Sequence, residues 1–166
     1  MKRFAAMLFV FAPAAAQPLQ PANPLAMFDR LVGSCWTTDF VPVGATIAPD
    51  ATTDTHCFSA LYEGVYVRDA HRVSQQGKVN YRGETTYRRS GEQVEFVYLN
   101  SQGGEARGTA AATPQGIEFK SGYQAPGDVS PRQIAARWRW SGRDSYDVWD
   151  EDYWIRYSRG GAPEQP

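Results

Sequence analysis

The chain has 166 residues, 42% of them hydrophobic and 21% charged, with a net charge of −1 at neutral pH. That length suits one domain around one core. The acidic balance argues against nucleic acid as a partner, since proteins that bind it usually carry a net basic footprint.

Residues 1–17, MKRFAAMLFVFAPAAAQ, read as a secretory signal peptide. Lys2 and Arg3 form a positive start, Phe4 to Phe11 an apolar core, and Ala14-Ala15-Ala16 a small-residue cleavage site. The apolar run falls short of the about 20 residues that span a bilayer, so no transmembrane segment is expected. Cys35 lies far from the cleavage site, which argues against a lipid anchor. The expected mature chain, 18–166, is a single periplasmic or secreted domain with 15 basic and 18 acidic residues.

Asn23-Pro24 has the form of an N-cap followed by proline at the first helical position. Leu25, Phe28, Leu31 and Val32 then recur on one face before Gly33, which predicts a short amphipathic helix of about two turns. From Cys35 the pattern changes to short β-branched and aromatic runs cut by turn signals. Strands are predicted near 35–41, 53–62, 65–74, 78–89, 92–100, 105–113, 116–122, 132–140, 144–150 and 153–159. Mostly tight connections between them favour an all-β, antiparallel up-and-down barrel of about 8–10 strands, with a β-sandwich as the alternative. Cys35 and Cys57 are the two cysteines. In an oxidising compartment they read as a disulfide, and no CxxC motif supports a metal-binding or redox pair.

A two-residue turn at Glu63-Gly64 sets His56 opposite His71, with Asp69 on the same face. Two imidazoles and a carboxylate on one wall suit a transition metal, haem iron or an acid–base pair. A second two-residue turn, at Ser90-Gly91, pairs Tyr87 with Val94 and Thr85 with Phe96. It puts Tyr81, Tyr87, Val94, Phe96 and Tyr98 on one face and Arg82, Glu84, Thr86, Arg88 and Glu95 on the other. Strand 105–113 is bare on one face (Ala106, Gly108, Ala110, Ala112), so that wall is either filled from opposite or left open. In 132–140, Trp138 and Trp140 alternate with Arg137 and Arg139, predicting tryptophans inside and arginines in water. The run Asp150-Glu151-Asp152 reads as a solvated turn. No nucleophile elbow, P-loop, His-Glu-x-x-His or dinucleotide fingerprint occurs.

The short helix leading into 31-LVGSCW-36 resembles the entrance to calycin barrels. There a lipocalin carries Gly-x-Trp on its first strand; here the spacing is Gly33-x-x-Trp36, one residue longer. In lipocalins an arginine near the last strand covers that tryptophan, a role the resemblance assigns to Arg156 or Arg159. The segment 80–108 is also similar to the middle hairpins of bacterial lipocalin-like barrels, and the likeness spans roughly residues 25–158. It implies a barrel, and a function among binding proteins, enzymes and inhibitors.

The expected function is an exported binding protein that holds a small apolar molecule inside the barrel. Its wall would include Trp138, Trp140, Tyr81, Tyr87, Phe96, Tyr98 and Phe119. One alternative is an enzyme, or a haem or metal protein, using His56, His71 and Asp69. The other is a filled barrel that acts through its surface.

Overall fold

A computed structural model describes residues 23–39, 52–150 and 153–160; the expected signal peptide lies outside them. Ten antiparallel strands form one up-and-down barrel: β1 (Ser34–Asp39), β2 (Thr52–Leu61), β3 (Tyr66–Gln75), β4 (Lys78–Ser90), β5 (Gln93–Asn100), β6 (Glu105–Thr113), β7 (Gly116–Gln124), β8 (Arg132–Gly142), β9 (Ser145–Asp150) and β10 (Tyr153–Arg159). Each pairs with its sequence neighbours. The tube closes where β1 meets β10, with Trp36 opposite Arg159 and Thr37 opposite Ser158. Closure removes the open edges that a sandwich would keep. Among the described residues no helix is long and apolar enough to cross a membrane.

The expected N-terminal helix is instead a 3₁₀ turn, Pro24–Phe28. Asn23 does cap it, its side chain accepting from the Leu25 amide. The apolar residues Leu25, Phe28 and Leu31 are spaced by three, which lines up on one face at 3.0 residues per turn rather than 3.6. A segment this short also gains too few hydrogen bonds to offset the nucleation of an α-helix. All three side chains are buried in the core, closing the end of the tube formed by the 61–66, 90–93, 113–116 and 142–145 connections.

Trp36 is fully buried at this end and donates its indole N–H to the Leu31 carbonyl. Arg159, not Arg156, lies over it, with the guanidinium carbon 4.8 Å from the ring centroid. Arg159 also donates to Ser34 Oγ and the Arg30 carbonyl, so one side chain ties the last strand to the first. Arg156 instead faces outward and pairs with Asp147 at 2.7 Å.

The β4–β5 hairpin turns at Gly91-Glu92, not Ser90-Gly91. Ser90 pairs with Gln93, Tyr87 with Phe96 and Thr85 with Tyr98, a register two residues from the expected one. Gly91 alone takes positive φ, 63°, and glycine at the first central position is the type II′ signature. Because the shift is even, the same residues stay on the same faces. The β2–β3 connection runs through Tyr62 and Glu63, both at positive φ, rather than a two-residue turn. Its register is unchanged, and His56 stands opposite His71.

Cys35 and Cys57 sit directly opposite on β1 and β2 and form a disulfide, their Cα atoms 4.0 Å apart. With the two cysteines 22 positions apart in sequence, loop-closure entropy gives the bridge a stabilisation of about 3 kcal/mol. The double substitution Cys35→Ser/Cys57→Ser is expected to lower unfolding free energy by about that amount, read from urea unfolding with the m-value fitted freely, since release of the bridge expands the unfolded chain.

Candidate functional site

β2 and β3 both carry polar residues on their inner face. The two-residue period sends Asp54, His56 and Phe58 inward from β2, and Val67, Asp69, His71 and Val73 inward from β3. Registry then places His56 against His71 and Phe58 against Asp69. The histidine rings lie 4.2 Å apart and nearly parallel, at 14°. Asp69 is 1% exposed and Asp54 5%, so two carboxylates and two imidazoles share the inside of the tube.

His56 Nδ1 is 2.7 Å from Asp69 Oδ2. Its Nε2, on the other side of the ring, lies 3.8 Å from Asp54 Oδ1. His71 Nε2 comes within 2.8 Å of that same oxygen. That is a close polar contact between His71 and Asp54 inside the tube. The other Asp54 oxygen accepts from the Tyr157 hydroxyl at 2.8 Å. Asp69 Oδ1 and the Tyr146 hydroxyl are buried with no hydrogen-bond partner.

These contacts decide the charges. Burial works to lower the His56 pKa, but Asp69, helped by Asp54, overcomes it and raises the value from 6.5 to about 9. Burial likewise pushes Asp54 up, yet His71, His56 and Tyr157 together hold it below the usual carboxylate value. Burial drives the Tyr87 and Tyr146 hydroxyls well above the ordinary phenol range, so both remain neutral donors.

The aromatic residues predicted as a ligand wall divide into two groups. Tyr87, Phe96, Phe119 and Trp138 are buried in the core, with Trp140 packed against it. Their rings touch one another: Trp138 to Phe119 at 4.6 Å, Tyr87 to Phe96 at 5.7 Å, and Phe28 to Tyr87 at 4.3 Å. The small residues of β6 stand beside large ones, Gly108 opposite Phe96, Ala106 opposite Tyr98 and Ala110 opposite Phe119. Bare positions on one strand thus make room for rings on the next. Trp140 sits at the closed end under Arg30, 4.9 Å away, while Arg137 and Arg139 are exposed as expected.

Tyr81 and Tyr98 are half-buried on the other side of the histidines. Their hydroxyls hydrogen-bond to each other, and the Tyr81 ring lies 5.4 Å from His71. Gly83 permits this, because a Cβ there would stand 2.6 Å from the Tyr98 ring. Burial raises the pKa of both phenols.

Asp54, His56 and His71 each offer one donor atom, all within 4.8 Å of one another. Asp69, expected on the same wall as the histidines, meets His56 at Nδ1, the nitrogen turned away from Asp54. Asp54 escaped the sequence reading although its signal was present: in Thr-Asp-Thr-His it shares a face with His56, two positions away. Tyr157 carried no local signal, since only closure of the barrel brings it across 103 residues to Asp54. No protein-family model matches the chain, and a search of curated proteins finds no match.

The His56–Asp69 pair makes stability depend on pH. A folded-state pKa raised above 6.5 stabilises fully below that value, and the stabilisation is lost as pH rises through about 9. It amounts to at most about 3 kcal/mol. Melting temperature is expected to fall between pH 7 and 10, with a clearly flatter profile in Asp69→Asn, measured by circular dichroism.

Proposed function

We propose that the chain is an exported binding protein that takes a small, largely apolar molecule into its barrel. The ligand's polar end meets the centre formed by Asp54, His56, Asp69 and His71, and its body lies against Tyr81, Tyr98 and Trp138. The remaining predicted wall residues, Tyr87, Phe96, Phe119 and Trp140, act as the packed floor beneath.

The observation that carries this reading is the polar centre inside the barrel, two carboxylates and two imidazoles beside which Asp69 Oδ1 and Tyr146 Oη are buried without a hydrogen-bond partner. Leaving such a group unmet costs about 1–3 kcal/mol. A polar group delivered from outside recovers that cost, which makes the centre a receptor for one. Burial of the ligand's apolar body adds about 25 cal/mol per Å² before ordering costs are subtracted. Barrels of about this strand number hold one small ligand. The Cys35–Cys57 bridge supports an oxidising compartment, in keeping with the leader at residues 1–17.

Trp138 reports on this site because its ring lies 6.5 Å from His56 and 5.8 Å from Phe58. Titration with a panel of fatty acids, sterols and aromatic carboxylates should give saturable quenching of tryptophan emission by at least one member. Most of that change should disappear in Trp138→Phe. A flat response across the whole panel removes the reading.

A further inference from the structure

We propose that the barrel holds one divalent transition-metal ion on Asp54 Oδ1, His56 Nε2 and His71 Nε2, with Asp69 as the carboxylate that orients His56. This rests on the binding reading above and deepens it, since the ion becomes the group that receives the ligand's polar end.

The two separations from Asp54 suit one ion. Ligands about 2.0–2.1 Å from a metal lie roughly 2.9–3.4 Å apart at tetrahedral or right angles. Asp54 Oδ1 is 2.8 Å from His71 Nε2 and 3.8 Å from His56 Nε2, values that bracket this range. Two of the three ligands are also anchored through their far atoms. His56 is held at Nδ1 by Asp69 and Asp54 at Oδ2 by Tyr157. A carboxylate on the second nitrogen of a ligating histidine fixes both its tautomer and its ring orientation. The near atoms Asp54 Oδ1 and His71 Nε2 are buried and meet each other at 2.8 Å, which suits donors aimed at a common point.

The donor set limits the ion. Two nitrogens and one oxygen suit zinc, iron(II), cobalt(II) or nickel(II) rather than calcium or magnesium, which take oxygen shells. Both cysteines are committed to the disulfide, so no thiolate competes. Three protein ligands leave at least one position for water or an exogenous donor, the arrangement of a reactive or ligand-binding site rather than a structural one.

Two changes are required: His56 releases its Nε2 proton to solvent as the ion binds, keeping Nδ1–H on Asp69, and a ring turns. The histidine rings are nearly parallel at 4.2 Å, so an ion lying in the plane of one is out of the plane of the other. Uptake must turn a ring. His71 is the one to turn, because Asp69 pins His56 at Nδ1 while the partner of His71, Asp54, is itself one of the three ligands.

The test uses untagged full-length protein, stripped by chelator and titrated with Co²⁺ and Zn²⁺. The sequence holds two histidines, so their ring signals in the proton NMR spectrum are unambiguous without mutation. One ion per chain by calorimetry, with both ring signals shifted or broadened by Co²⁺, is expected. Asp69→Asn should retain one site at roughly 10–100-fold lower affinity, and His71→Gln, its fold checked by circular dichroism, should lose it. Either ring signal left unmoved at saturating Co²⁺, or affinity unchanged in folded His71→Gln, overturns the proposal. Repeating the lipophile titration on the stripped protein separates the two readings. Quenching with histidines blind to Co²⁺ retires the ion alone, and ion uptake without quenching in stripped or loaded protein retires the binding reading alone.

Discussion

A strand rolled into a closed tube turns every second side chain away from bulk water, and on that side fall Asp54 and Asp69, both buried, with His56 and His71 mostly so. Their polar groups must be met within the barrel or by something that enters it. That constraint sets the chemistry of the interior. It draws Tyr157 from the last strand onto Asp54, and it makes Asp69 the counter-charge that keeps His56 protonated against the pull of burial.

The barrel resolves this along its axis. At one end Leu25, Phe28, Leu31 and Trp36 form an apolar plug, and Arg159 binds that plug to both chain-terminal strands. Next come the packed rings of Tyr87, Phe96, Phe119 and Trp138, whose bulk is accommodated by the small residues of β6. The charged centre follows, and Tyr81 and Tyr98 stand on its far side, joined through their hydroxyls. Packing therefore rigidifies the half that needs no access, while the polar half offers phenols, imidazoles and carboxylates. The disulfide staples β1 to β2 at the registry position next to Trp36 and His56, fixing the strand that delivers Asp54 and His56.

Much of this was legible in the residues because strand reasoning is local. Glycine-bearing turns delimit ten runs, and period-two alternation assigns faces that survive an even slip of register, as β4–β5 demonstrates. The pairing of His56 with His71 followed from one connection, and the loop through Tyr62 and Glu63 preserves it. The α-helix failed because a spacing of three was read as a spacing of 3.6. The turn at Gly91 failed because glycine fits either central position, and only the backbone reveals which. The likeness to calycins pointed to an arginine over Trp36, and the structure selects Arg159 because β10 pairs in a register that puts that residue opposite the ring. What no local rule reaches is contact made by closure. Tyr157 meets Asp54 only after ten strands have returned to the start, so the division of roles between Asp54 and Asp69 was invisible in sequence.

Stability alone is a poor account of the charged centre. Buried ion pairs lose most of their Coulomb gain to desolvation, and well-packed apolar replacements of similar volume are often neutral or stabilising. The same barrel shows that such packing is within its reach, since Phe58 and Val67 are fully or nearly fully buried on the very strands that carry these four polar residues. Two carboxylates and two histidines in an otherwise aromatic interior therefore have their physical rationale in a function that needs donors and acceptors held away from water. Asp54 and His56 are each tied at one atom, by Tyr157 and Asp69, and turn their other atom to the centre, which is the arrangement that the proposed receptor for a polar guest requires.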